Sequence, residues 1–299
     1  MLDSVKRTLK LHEVEILEDI EFKSLTTIRC GGIASIVVLP KTLNEYLFVL
    51  RYLTERDIPF KVVGNMSNVL PPDGVYDSVI IRTTPLNHIT FAGDIVTADC
   101  GAKISSVLWQ AAKMNLGGGE GLFMIPGTLG GMVYQNAGAY GVSISDIFLE
   151  GKFYDSQTDE VVTLAKADMD FSYRHSLLSS RRLYMLSMRL LLHPVAFENV
   201  KKRITELAKM RRVSQPTAYP SLGSIFRRDG DFIPAKVIDE LGFKGMYVGG
   251  AMVSEKHAGF IVNQGSATSS DIKALIQIIK KTVSDKLSLD LSLEIEYLE

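Results

Sequence analysis

Three groups of residues in this 299-residue chain combine side chains that could move a proton or neutralise an anion. The first is Leu222-Gly223-Ser224-Ile225-Phe226-Arg227-Arg228, where a small-residue turn presents a hydroxyl beside two cations. The plainer reading of Ser224 is a turn residue. The second is Arg174, set in the polar knot Phe171-Ser172-Tyr173-Arg174-His175-Ser176 between predicted strands. A guanidinium there suits a carboxylate or phosphate, although a lone Arg is more commonly a surface ion pair. The third is the pair Glu294 and Glu296, alternating with Leu293, Ile295 and Tyr297 in a predicted terminal strand. Alternation puts both carboxylates on one face, which either meets solvent or lines a cleft. The five histidines are scattered, the two cysteines (Cys30 and Cys100) form no C-x-x-C clip, and no G-x-S-x-G elbow occurs. Neither a metal centre nor a serine-hydrolase elbow is therefore expected.

Two stretches could hold a ligand for such groups to act on. Ile125–Gly141 reads I-P-G-T-L-G-G-M-V-Y-Q-N-A-G-A-Y-G. Glycine lets backbone approach a ligand closely, and a helix of this composition is weak because each interior Gly costs about 1 kcal/mol. The expectation is a compact loop whose free N–H groups face a diphosphate or a flat ring. A set of tight turns is the alternative. The stretch matches neither the G-x-G-x-x-G fingerprint nor the phosphate loop. The second stretch, Gly64-Asn65-Met66-Ser67-Asn68, follows the apolar run Phe60–Val63 directly. The carboxyl end of a strand is where α/β units commonly bind ligands, but an Asx-type turn that stabilises only itself fits equally.

The elements that must position these residues follow from periodicity. Leu2, Val5, Leu9, Ile16 and Leu17 offer one helical face within the first 19 residues, and Thr42–Arg56 is a second amphipathic helix. Thr26–Gly32 and Ile36–Leu39 read as strand, turn, strand. Further strands are predicted at 79–82, 95–99, 147–153, 161–164, 184–192 and 259–262. Helices are predicted at 105–114, 197–212, 234–241 and 270–286, the last capped near Ser269–Asp271, and an alternating strand spans 289–297. This α+β texture divides at 84 and 196 into segments 1–84, 85–196 and 197–299.

Composition narrows the class further. With 46% hydrophobic and 22% charged residues the chain is an ordinary globular one. A net charge of −1 gives no reason to expect a nucleic-acid partner. No apolar run approaches the roughly 20 residues of a membrane span, and the first ten residues do not form a signal peptide. The expectation is a soluble cytoplasmic protein with free thiols. Long heptads are absent, which argues against a coiled coil and leaves the oligomeric state open.

Several stretches occur together in an order that carries a resemblance. They are Thr26–Gly32, Gly64–Asn68, Ile125–Gly141, Tyr173-Arg174, Gly223–Phe226, Val253–Asn263 and Leu293-Glu294-Ile295. Over nearly the whole chain this resembles the UDP-N-acetylenolpyruvoylglucosamine reductase family, flavoenzymes of peptidoglycan precursor synthesis. The resemblance implies two FAD-binding subdomains (1–84 and 85–196) of the vanillyl-alcohol-oxidase-like type, and a carboxy-terminal α+β substrate-binding domain (197–299). The short passage from Leu190 to Gln215 is similar to the shorter, second type of the family. The implied reaction is NADPH-dependent and FAD-mediated, with two successive hydride transfers that convert the enolpyruvyl ether of a UDP-sugar to the lactyl ether of UDP-N-acetylmuramate.

By the same resemblance, Gly64, Asn65, Ser67 and Asn68 wrap the FAD diphosphate. Pro126, Gly127, Gly130, Gly131, Asn136, Gly138 and Ala139 pack against diphosphate and isoalloxazine. Arg174 stabilises enolate charge, Ser224 donates the proton and Glu294 is its carboxylate partner, with Tyr173 and Arg228 on the substrate side. The chain departs from the family pattern at Met66, where a Gly is usual. It departs again at Arg227-Arg228-Asp229, where Lys-Asn-Pro is common, and at Ser292-Leu293, where Glu-Pro is common; Arg228 then stands where it can reach the UDP phosphates. A flavin oxidase with another substrate and a divergent binding protein are the competing implications.

Overall fold

The computed structural model describes residues 2–299, an α+β chain that divides into two compact units. One unit comprises the chain up to Glu18, Ile36–Asn65 and Asp77–Lys209; the other comprises Asp19–Ser35, Met66–Tyr76 and Met210–Glu299. The segments 19–35 and 66–76 thus cluster with the carboxy-terminal residues, although in sequence they lie inside 1–84.

In the first unit, helix α1 (Leu2–Leu11) buries Val5 and Leu9. It stops before Glu13, whose φ of 57° is left-handed, and the chain continues as the strand Glu15–Glu21. The helical spacing expected through Leu17 is therefore broken. Helix α2 (Leu43–Thr54) is capped by Thr42, whose hydroxyl accepts from the Glu45 N–H at 3.1 Å. It buries Tyr46, Val49, Leu50 and Leu53. A four-stranded sheet has the order Glu15–Glu21, Ile33–Leu39, Val75–Arg82, Phe60–Val63. Its last pair is parallel, with Phe60 opposite Val79. A five-stranded antiparallel sheet follows, in the order Glu160–Ala165, Phe148–Asp155, Leu183–Leu191, Ile95–Asp99, Ile89–Ala92. Helix α3 (Ile104–Lys113) buries Ile104, Val107, Leu108 and Ala111 in the core of this unit.

The glycine-rich stretch is not a loop throughout: Leu129–Tyr134 forms a helix (α4), followed by the short α5 (Ile144–Ile147). Burial of Leu129, Met132 and Val133 on one face of α4 outweighs the weak propensity of its two glycines. Helix α6 (Phe197–Ser214) buries Val200, Ile204 and Leu207 and leaves its basic residues solvated.

The second unit has an antiparallel sheet in the order Ser221–Ser224, Phe260–Asn263, Ala251–Val253, Tyr247–Val248. Helix α7 (Pro234–Glu240) starts with Pro at its first turn. Helix α8 (Ser269–Leu287) is capped one residue earlier than the sequence suggests, by a reciprocal box between Thr268 and Asp271. The terminal segment is no continuous alternating strand. Leu293 bridges Phe226, then Glu296–Tyr297 pairs in parallel with Val69–Leu70. It changes partner midway, which prevents one long ladder.

Thr26–Gly32 forms no strand; it is held instead by Asn263, which is 3% exposed. The Asn263 amide donates to the carbonyls of Ile28 (2.9 Å) and Arg29 (3.1 Å) and accepts from the N–H groups of Gly265 (2.7 Å) and Ala267 (3.0 Å). Asp73 makes a second tie, accepting from the N–H of Ser269 (2.7 Å) and from the N–H (2.8 Å) and hydroxyl (2.6 Å) of Ser270 at the start of α8.

Asn263→Ala removes four hydrogen bonds and leaves two carbonyls and two N–H groups to find new partners. We expect a loss of about 2–4 kcal/mol, read as a lower denaturation midpoint; a loss below about 0.5 kcal/mol would show that the amide is dispensable. For Asp73, partial burial alone would raise the carboxyl, but the three hydrogen bonds outweigh it and hold the group below its ordinary 3.8. A depressed folded-state pKa adds stability above the unfolded value and loses it as pH falls through the folded one. Asp73→Asn should therefore lower Tm at neutral pH and converge on the parent below pH 3.8. The carboxylate is exposed, so the neutral-pH difference should be below about 1 kcal/mol. A gap that widens in acid contradicts the assignment.

Candidate functional site

In the first unit, Gly64 ends the strand Phe60–Val63 and lies against Thr128 so closely that a Cβ on residue 64 would overlap the Thr128 side chain. Thr128 stands at the N-cap of α4, yet its hydroxyl caps nothing; it is 1% exposed and has no hydrogen-bond partner among the described residues. A buried hydroxyl without a partner costs about 1–3 kcal/mol, a cost that a hydrogen bond to a bound ligand would relieve. Asn65 reinforces the approach by donating its amide to the Pro126 carbonyl at 2.8 Å.

Much of the glycine-rich backbone is already engaged, contrary to the expectation of a ring of free amides. The N–H of Leu129 bonds to Ala102, that of Gly130 to Cys100 (2.8 Å), and that of Ala137 to Met132 (2.8 Å). The Gly127 carbonyl accepts from Ile104. Gly138 and Ala139 form a two-residue ladder with Ser143 and Val142, and a Cβ on Gly138 would stand 2.6 Å from the Ser143 hydroxyl. Of these residues Gly131 is the open one: it is exposed, and a Cβ there would meet nothing nearer than Thr128 Oγ1 at 3.8 Å.

Asn136 joins this stretch to the segment carrying Arg174. Its Nδ2 donates to the Ser172 carbonyl at 2.9 Å, and its Oδ1 accepts from the Ser145 N–H at 3.2 Å. Ser172 and His175 exchange both backbone hydrogen bonds at 3.2 Å, leaving Tyr173-Arg174 as a two-residue turn. The Arg174 guanidinium lies 5.0 Å from the centre of the Tyr173 ring. Ser176, fully buried, donates its hydroxyl to the Tyr134 carbonyl at 2.9 Å.

In the second unit, Ser224 ends the strand Ser221–Ser224 at a register irregularity, opposite Phe260, and follows Gly223 at φ 81°. The next residues run antiparallel beside the terminal segment. The Glu294 N–H donates to Ile225 at 2.8 Å and the Arg227 N–H to Ser292 at 2.9 Å. On the other side, Asn68 donates its amide to the Glu294 carbonyl at 2.9 Å and accepts from the Glu296 N–H at 2.9 Å. Ser224, Glu294 and Asn68 are thereby gathered on one continuous set of backbone and side-chain bonds, with Ser67 adjacent. Met66 precedes them in the left-handed region (φ 46°) with its side chain buried; a position of this backbone geometry explains why a Gly is usual there.

Arg228 is exposed just beyond this ladder. Near it stands His257, whose Nδ1 accepts from the Gly259 N–H at 3.1 Å and whose ring meets Phe260 edge-on. Burial lowers the imidazole below its ordinary 6.5, and the charges of Lys244 and Arg228 lower it further, so it is neutral at pH 7. Neither Thr128 nor His257 stands out in the sequence: the first lies within the expected loop 125–141 and the second is one of five scattered histidines.

Comparisons with known proteins match two family models along the chain. Residues 34–165 match the family model described as an FAD binding domain, and residues 215–298 match that of the UDP-N-acetylenolpyruvoylglucosamine reductase C-terminal domain. A reductase of that name from Caldicellulosiruptor bescii is 38% identical, over 97% of this chain and 93% of its own length. One from Enterococcus faecalis is 36% identical over 95% of both chains. The crystal structure of the enzyme from Thermus caldophilus superposes with a TM-score of 0.81 at 28% identity, covering 96% of this chain and 99% of that one. Since relatives above 30% identity span almost its full length and both family models fall in order along it, the chain belongs to the UDP-N-acetylenolpyruvoylglucosamine reductase family.

Proposed function

We propose that this protein catalyses the FAD-mediated, NADPH-dependent reduction of the enolpyruvyl group of UDP-N-acetylglucosamine enolpyruvate to UDP-N-acetylmuramate, in the cytoplasm, where such nucleotide substrates are available. The observation that carries the reading is the ladder Asn68–Glu294–Ile225, which brings a proposed diphosphate turn, a carboxylate and the hydroxyl-bearing segment of Ser224 together from three remote parts of the sequence.

The residues present fit an FAD. In the first unit Gly64 offers bare backbone beside an unpartnered Thr128 hydroxyl, with the Asn65 amide next to it; in the second, Ser67 and Asn68 carry hydroxyl and amide groups. Pro126, Gly127, Gly130, Gly131, Gly138 and Ala139 supply small residues over which a ring or a diphosphate can lie. Asn136 belongs to the same set through its backbone, its side chain being used by Ser172 and Ser145. Bound FAD supplies a two-electron carrier between NADPH and the enolpyruvyl double bond.

The chain's own residues then handle charge and protons. Reduction of a double bond conjugated to a carboxylate builds negative charge on the α carbon and the carboxylate, and the guanidinium of Arg174 stabilises it. The Ser224 hydroxyl delivers a proton to that carbon, an energetically reasonable donor because a carbanion is far more basic than an alkoxide. The Glu294 carboxylate orients the hydroxyl and favours return of a proton to the serine oxygen. Tyr173 flanks Arg174 on the substrate side, and Arg228 supplies a cation for the UDP phosphates.

In the Ser224→Ala protein, NADPH should still bleach the flavin within about twofold of the parent rate, while formation of UDP-N-acetylmuramate falls by about 10²–10⁴-fold. If both half-reactions vanish, or both survive, Ser224 is not the proton donor. Gly64→Ala drives a methyl group into Thr128 and should weaken FAD binding at least about tenfold, or 1.4 kcal/mol, giving a pale protein after gel filtration. A Gly64→Ala protein with its full complement of flavin would remove Gly64 from the cofactor site.

A further inference from the structure

Arg174 occupies a backbone position that arginine does not favour. Its φ is 54°, in the left-handed region, at the second residue of a two-residue turn where Gly or Asn is the usual choice. A non-glycine residue there persists only where its surroundings hold it. On one side of the turn the hold is evident: Asn136 grips the Ser172 carbonyl at 2.9 Å and Ser176 grips Tyr134 at 2.9 Å. On the other side stands a group that the reaction does not use. His175, adjacent to Arg174, has Nε2 3.1 Å from Asp170 Oδ2 and Nδ1 2.9 Å from the Ser179 hydroxyl. Ser179 Oγ is itself 2.7 Å from the Ser176 carbonyl. Asp170, like Arg174, is left-handed, with φ 47°.

The imidazole is thus fixed at both nitrogens, by the residue entering the turn and by the first turn of chain leaving it. Both partners lie outside the four residues of the hairpin, so the ring braces the hairpin against the segments on either side. Asp170 is 74% exposed, which makes its contact with the ring a poor source of global stability. Its geometry instead restrains rotation of the peptide next to Arg174. We propose that His175, clamped between Asp170 and Ser179, is a positioning residue that holds the Arg174 backbone in its left-handed conformation and so aims the guanidinium at the substrate carboxylate. The inference rests on the role read above for Arg174.

The test uses the FAD-loaded full-length protein and measures the two half-reactions separately. His175→Ala and Asp170→Ala should each slow oxidation of the reduced enzyme by the enolpyruvyl substrate about fivefold, a modest part of the roughly hundredfold that a 1 Å misplacement can cost. Flavin content, the rate of reduction by NADPH and Tm should stay within error, and amide exchange should quicken at Ser172 and His175. In an Arg174→Ala background, His175→Ala should have no further effect on the oxidation step, because the residue it positions is gone. The proposal is overturned if His175→Ala leaves the oxidation step unchanged, if its effect multiplies with that of Arg174→Ala, or if reduction by NADPH slows as much. Should Arg174→Ala itself leave the oxidation step intact, the role of Arg174 falls, and this inference with it; a defective Arg174→Ala beside a normal His175→Ala rejects the inference alone.

Discussion

The Asn136 side chain is the constraint on which the first unit's share of the site depends. An amide has a donor end and an acceptor end, and here the donor end holds Ser172 while the acceptor end holds Ser145. Asn136 is 8% exposed, so neither bond competes freely with water. Its own φ of 40° lies in the left-handed region, which Asn tolerates better than most residues. Together with the Ser176 hydroxyl on the Tyr134 carbonyl, this side chain makes the end of α4 and the turn bearing Arg174 parts of the same rigid object. The role proposed for Arg174 would gain from such rigidity, because a preorganised group needs no reorganisation during a reaction.

The second unit solves the same problem with backbone and side-chain bonds together. The terminal segment lies between residues 225–227 on one side and Asn68–Leu70 on the other, changing partners at Glu294. Asn263 and Asp73 then fasten the irregular stretch 26–32 and the loop before Val75 to the start of α8. These ties explain motifs that look idle in a list of chemical groups. Asn263 ends the run Val253–Asn263, and it satisfies two carbonyls of a segment with no ladder of its own and two N–H groups in the turn before α8.

Much of this was legible beforehand, and the misses share a cause. Helices with a clear apolar face came out within a few residues: α2 against the predicted 42–56, α6 against 197–212, α8 against 270–286. Four strands of the five-stranded sheet did likewise, while Ile89–Ala92 was not expected. Helix α4 was missed because its stability comes from burying Leu129, Met132 and Val133, not from the propensity of a segment with two glycines. The terminal strand was overextended because alternation of side chains says nothing of which backbone is available to pair with it. The expected strand at Thr26–Gly32 failed for the same reason, its carbonyls being taken by an Asn more than two hundred residues away.

Local order and chemical inventory were determined by the sequence alone. The helical faces, the position of the glycine-rich stretch, the identity of Arg174, Ser224 and Glu294 as groups worth attention, and the family all follow from residue types and their order. Only the tertiary structure decided that the Thr128 hydroxyl goes without a partner, that Arg174 must sit in a left-handed turn, and that segments 19–35 and 66–76 cluster with the carboxy-terminal unit. Periodicity reports the face an element buries, a property of neighbouring residues. The bonds that Thr128 lacks and those that Asn136, Asn68 and Asn263 make depend on distances between residues remote in the chain, which arise only once the cores have packed.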